Sequence, residues 1–73
     1  MIKFEVGETY VSHPDLKTYK VIKRTEKTII IRDKSGLIYR KRINKKYSDI
    51  LEAECFFMAN HSLITLITAT KWS

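Results

Sequence analysis

Three features of the 73-residue sequence predict an all-β fold, a small SH3-like (or OB-like) barrel of about five short antiparallel strands. β-Branched and aromatic residues recur in short runs (TYKVIKR, KTIIIR, LITLIT), and such side chains suit the pleated, half-buried surface of a sheet. A few polar or turn-forming residues separate most of these runs, rather than helix-length segments. The chain is also short. At this size it buries only about 60% of the surface it exposes unfolded, and closure into a barrel removes edges that a small open sheet would leave unpaired. Residues 1–73 are expected to form one domain.

The strands follow in order. Gly7 gives a flexible point before Thr9, Tyr10 and Val11, which favour a first strand; His13-Pro14-Asp15 then breaks it, because proline fixes its own backbone and pushes its predecessor towards extended geometry. Residues 18–24 (TYKVIKR) and 27–32 (KTIIIR) read as a second and third strand joined by a tight turn at Thr25-Glu26. Three successive isoleucines place apolar surroundings on both faces of the third strand. Asp33-Lys34-Ser35-Gly36 is the clearest turn in the chain: Asp suits the first position of a type I turn and Gly36 the positive φ of a G1 bulge. That turn pairs Asp33 with Leu37, Ile31 with Tyr39 and Ile29 with Lys41. Ile29, Ile31, Leu37, Tyr39 and Ile43 then form a core face with Lys41 as a misfit, while Ile30, Arg32, Ile38, Arg40 and Arg42 form a basic face. A slip of one residue would exchange the two.

Residues 47–60 (YSDILEAECFFMAN) carry two signals. Asp49 with Glu52 fits a helix N-cap and its capping-box partner, which would give a short helix at 48–53. As a strand, Leu51, Ala53, Cys55 and Phe57 would line one side, and the strand is the reading preferred here. A turn is expected at Asn60-His61 and a last strand over 63–72, with Trp72 either covering the bottom of the barrel or exposed.

Charge is divided sharply. Residues 17–46 hold eight Lys and four Arg against Glu26 and Asp33, a formal +10, whereas the rest sets Lys3 and Lys71 against six carboxylates, a formal −4. With a pI near 9.6, a basic segment of this kind is the electrostatic footprint of a polyanion binder, although Lys and Arg also protect strand edges and solubilise small β-proteins. Candidate phosphate contacts are Lys20, Lys23, Arg24, Lys27, Arg32, Arg40, Lys41, Arg42, Lys45 and Lys46, with the strongest set at Lys20, Arg24, Lys27, Arg32, Arg40, Arg42 and Lys45. If about five phosphates are neutralised, log affinity falls with log salt at a slope of roughly −4 to −5 on duplex DNA. Tyr19, Tyr39 and Tyr47 lie in or beside the segment as stacking platforms for single strands, Tyr39 first among them; the competing role is core or barrel rim.

Other chemistries find little support. Gly7 and Gly36 are the only glycines, and neither forms a phosphate loop. One Cys with two His cannot supply a cysteine-rich structural zinc set, and no metal or cofactor is expected. A Cys55–His61 dyad would need a stabilised thiolate, yet Glu-Cys-Phe-Phe reads as core; Ser62 beside His61 gains nothing from adjacency, and no catalytic residue is assigned. His13 beside Pro14 reads as an exposed loop residue. Charges at Lys3 and Glu5 interrupt any leader, and the apolar run at 63–69 falls well short of the roughly 20 residues of a membrane span, so a cytoplasmic protein without membrane contact is expected.

The phrase FEVGETYVS followed by YKVIKRTEKTIIIRDKSGLIYRKRI resembles a family of small all-β proteins encoded by phages, plasmids and other mobile elements of Gram-positive gut bacteria. The matching positions are Phe4, Val6, Gly7 and Tyr10, then Val21, Lys23, Arg24, Thr25, Lys27 and Thr28, then Gly36, Arg40, Arg42 and Ile43, over about the first two-thirds of the chain. Many relatives carry a longer, Cys-containing insertion after the first strand, where His13-Pro14-Asp15 stands here. The resemblance implies a mobile-element setting and an all-β fold, and carries over no activity. The expected function is therefore non-catalytic binding of DNA or RNA through the Arg24/Arg32/Arg40/Arg42 face. The alternative is a protein–protein module that docks on an acidic surface of a host factor such as a defence nuclease.

Overall fold

The computed structural model describes residues 1–60 and 63–70. Its elements are β1 (Thr9–His13), β2 (Thr18–Arg24), β3 (Thr28–Asp33), β4 (Ile38–Arg42), α1 (Lys45–Leu51), β5 (Cys55–Asn60) and β6 (Leu63–Thr68). The strands pair antiparallel in the order β4-β3-β2-β1-β6-β5 and roll into a nearly closed barrel. β1 makes the roll possible by serving both halves: Thr9, Tyr10 and Val11 pair with β2, and Ser12 and His13 with β6. The all-β barrel is as expected, with six strands rather than five.

The β3–β4 hairpin follows the turn chemistry. Asp33 donates its amide to Leu37 O at 2.9 Å, Gly36 takes φ +95°, and Ile31 faces Tyr39 while Ile29 faces Lys41. Asp33 also accepts from the Ser35 hydroxyl at 2.6 Å and the Leu37 amide at 2.9 Å, so its side chain builds the turn. Ile29 and Ile31 are buried, and Tyr39 and Ile43 pack against the core. Leu37 departs from the expected core face. It closes the turn at the hairpin tip, outside β4, and is 60% exposed.

Residues 47–60 are divided between the two expected structures, which corrects the single strand. α1 starts earlier than expected: Asn44, not Asp49, is the N-cap, and its side-chain oxygen accepts from the Tyr47 amide at 3.0 Å. Glu52 ends the helix in a left-handed conformation (φ 56°), and β5 begins three residues later. Buried Ser48 ties the two together, donating to Asn44 O at 2.5 Å and accepting from the Cys55 amide at 3.0 Å. The last strand ends at Thr68; the expected turn at His61 and the position of Trp72 lie outside the described residues.

The core joins Phe4, Tyr10, Tyr19, Val21, Ile29, Ile31, Phe56, Ile67 and Ala69. Phe4 anchors the N-terminal segment, standing edge-on to Tyr10 with ring centroids 4.9 Å apart and tilted against Phe56 at 5.4 Å. Just past the end of β4, Asn44 donates its amide to Cys55 O at the start of β5 at 2.8 Å, which closes the barrel at that end. No helix among the described residues is long and apolar enough to cross a membrane.

Candidate nucleic-acid interface

The basic segment becomes one wall of the barrel. Strand pairing sets Lys20 beside Arg32 and Arg32 beside Ile38; the next row holds Lys23, Ile30 and Arg40, and the last Thr28 and Arg42. Antiparallel neighbours lie about 4.8 Å apart and point to the same face, so these rows form a continuous outer surface. Lys20, Lys23, Arg32, Arg40 and Arg42 are all exposed on it. None of the five has a carboxylate within salt-bridge distance among the described residues. A shallow groove of about 660 Å³ crosses this wall between Thr9, Lys20, Arg32 and Ile38, with Lys34 at its rim. The surface thus offers five untethered cations around two isoleucines, Ile38 being 62% exposed.

Arg24 does not belong to that wall, which corrects the expected Arg24/Arg32/Arg40/Arg42 face. A β-bulge is the cause. Val21 opposes Ile31 and Lys23 opposes Ile30, so Ile22 is an extra residue in β2. Simple alternation from Tyr19 and Val21 would send Lys23 inward and Arg24 outward; the extra residue reverses both. Arg24 turns towards the barrel's closed end and meets Glu54, which is only 4% exposed. Nη1 donates to Glu54 Oε1 at 2.6 Å and to Phe4 O at 2.7 Å, and Nη2 to Glu54 Oε2 at 2.8 Å. Nε donates to Thr25 O at 3.1 Å and Nη2 also to Glu26 O at 3.4 Å, so all five guanidinium hydrogens are engaged. Glu54 Oε1 accepts the Phe4 amide at 2.7 Å as well. Hydrogen bonding to Glu54 raises the Arg24 pKa. Burial pushes the Glu54 carboxyl up, but the Arg24 guanidinium and the Phe4 amide outweigh it and hold the group below its ordinary value.

The remaining predicted residues are distributed. Lys27, one position before Thr28, has the opposite parity and sits at the β2–β3 turn; Lys45 opens α1; both are exposed, and neither is on the wall. Lys41 lies on the inner parity opposite Ile29 and is half-buried. Tyr39 also points inward: its hydroxyl donates to Asp33 Oδ2 at 3.0 Å, and its ring stands edge-on to Tyr19 at 6.3 Å. That hydrogen bond, with some burial, raises the Tyr39 pKa. Tyr47 is exposed on α1, edge-on to Phe57 at 5.2 Å. Cys55 is fully buried, and burial raises its thiol pKa, which makes it a poor nucleophile. Among the described residues no group of three or more His, Cys, Asp or Glu is placed to hold a metal ion.

The Arg24–Glu54 pair is not apparent from strand patterning. The available signal was Glu54 itself, a carboxylate set inside the apolar run Ala53–Phe56, where an ionised group needs a partner. Lys23 stands outside the strongest expected set, although the bulge makes it a member of the wall. No protein-family model matches the chain, and no curated protein or solved structure is significantly similar to it.

Proposed function

We propose that the chain is a non-catalytic nucleic-acid-binding β-domain, serving a mobile element, that lays a phosphate backbone along the outer face of β2, β3 and β4. The observation that carries this reading is the gathering of Lys20, Lys23, Arg32, Arg40 and Arg42 on one face without carboxylate partners among the described residues. Cations not spent on internal pairs keep their attraction for polyanions, and release of condensed counterions from the nucleic acid then drives binding. Ile30 and Ile38 add apolar contact within the charged rows. A gel shift with single- and double-stranded DNA and RNA at two salt concentrations tests the proposal. Binding is expected to weaken with salt and to be markedly weaker in the Arg40→Ala/Arg42→Ala variant; salt-independent binding, or none by the wild type, argues against it.

One observation favours a second reading. Ile38 is 62% exposed on the edge strand of the wall, beside Arg32 and two residues from Arg40, and an exposed apolar side chain flanked by arginines suits a protein–protein hot spot. On that reading the partner presents an acidic surface, as a host nuclease blocked at its nucleic-acid site would. A specific partner captured by the wild type and lost on Ile38→Asp, together with no shift of any nucleic acid, favours it over the first.

A further inference from the structure

The open end of the barrel carries a second feature. Tyr39 of β4 and Met58 of β5 stand on either side of a cavity of about 540 Å³, with Tyr19, Thr65, Leu16 and Asp33 also lining it. This volume lies within the range of small-molecule sites, and the lining sets the aromatic and thioether surface of Tyr19, Tyr39 and Met58 beside charged groups at Asp15, Lys17, Asp33 and Lys34. Tyr39 spends its proton on Asp33 Oδ2, so the hydroxyl oxygen retains its lone pairs as acceptors. The cavity and the cationic groove share one boundary. Thr18, Asp33, Lys34 and Ser35 line both, so the start of β2 and the hairpin tip stand between the aromatic cavity and Lys20 and Arg32.

We infer that this cavity receives one unstacked nucleobase of a single strand whose phosphates lie on the β2–β4 wall, an inference that rests on the nucleic-acid reading above. Charge complementarity selects the occupant. The wall recruits a polyanion, and a strand crossing the hairpin tip brings a planar ring to Tyr39 and Met58. A base held in a duplex cannot turn over that tip without leaving its stack, so the cavity favours single strands.

The test compares two labelled oligonucleotides of equal length and phosphate number, one bearing bases and one abasic throughout, by fluorescence anisotropy. The base-bearing strand is expected to bind at least about tenfold more tightly. Tyr39→Ala should shrink that ratio to about twofold or less, whereas Tyr39→Phe, which keeps the ring, should preserve it. A readout without substitution guards against a misfolded variant: the Met58 methyl NMR signal of the wild type should shift with the base-bearing strand and stay in place with the abasic one. Equal binding of the two strands, or an unmoved Met58 signal with the base-bearing strand, overturns the base site and leaves the cationic wall standing. Failure of both strands to bind overturns the wall as well.

Discussion

Arg24 and Arg40 lie on adjacent parts of one sheet and have opposite environments. At the closed end, every donor of Arg24 is taken up by Glu54 and by backbone carbonyls of Phe4, Thr25 and Glu26. On the outer wall, Arg40 stands with Arg32 and Arg42 without a carboxylate partner among the described residues. One extra residue, Ile22, produces the difference by reversing the parity of β2. Residue type alone therefore does not tell a structural arginine from one available to a ligand; register does.

Substitution at the closed end should have the largest effect on stability. Glu54→Ala leaves a largely buried guanidinium and the Phe4 amide without their partner, and should cost about 3 kcal/mol or more in urea unfolding. A loss below about 1 kcal/mol would make Arg24 equivalent to the wall arginines and erase the contrast. The same pair sets an acid dependence. Because the folded-state pKa of Glu54 is depressed, its contribution is fully present above the unfolded value of about 4.3 and is lost as pH falls through the folded value. Unfolding midpoints should therefore decline below about pH 4.3 in the wild type, and the decline should be shallower in Glu54→Gln.

Gly36→Ala sharpens the comparison from the hairpin that holds Arg32 and Arg40 in place. A Cβ there meets nothing within 4 Å, so the cost is backbone strain at φ +95°, about 1–2 kcal/mol by thermal unfolding. The smallest effect on stability belongs to the wall. Arg40→Ala with Arg42→Ala should change it by no more than about 0.5 kcal/mol, since neither side chain holds a partner among the described residues.

The β3–β4 hairpin was legible because two independent signals agree on its register: the Asp33–Gly36 turn and the alternation of isoleucines with arginines. Arg32, Arg40 and Arg42 were placed correctly for that reason. Arg24 was not, because Val21 and Ile22 are both apolar and a bulge between them leaves no mark on the pattern. α1 was hidden differently: Asn44, its cap, sits among lysines that read as the end of a basic strand, and the helix is only seven residues long. The cavity between Tyr39 and Met58 depends on which strand edges fail to meet, and only the strand order reveals that.

The salt dependence of duplex binding tests the division between bound and available arginines most directly. With five cations on the wall, the slope of log affinity against log salt should be about −4.5, and removing Arg40 and Arg42 should reduce it to about −2.7. A slope that the double substitution leaves unchanged would mean that the β2–β4 wall does not carry the phosphate contacts.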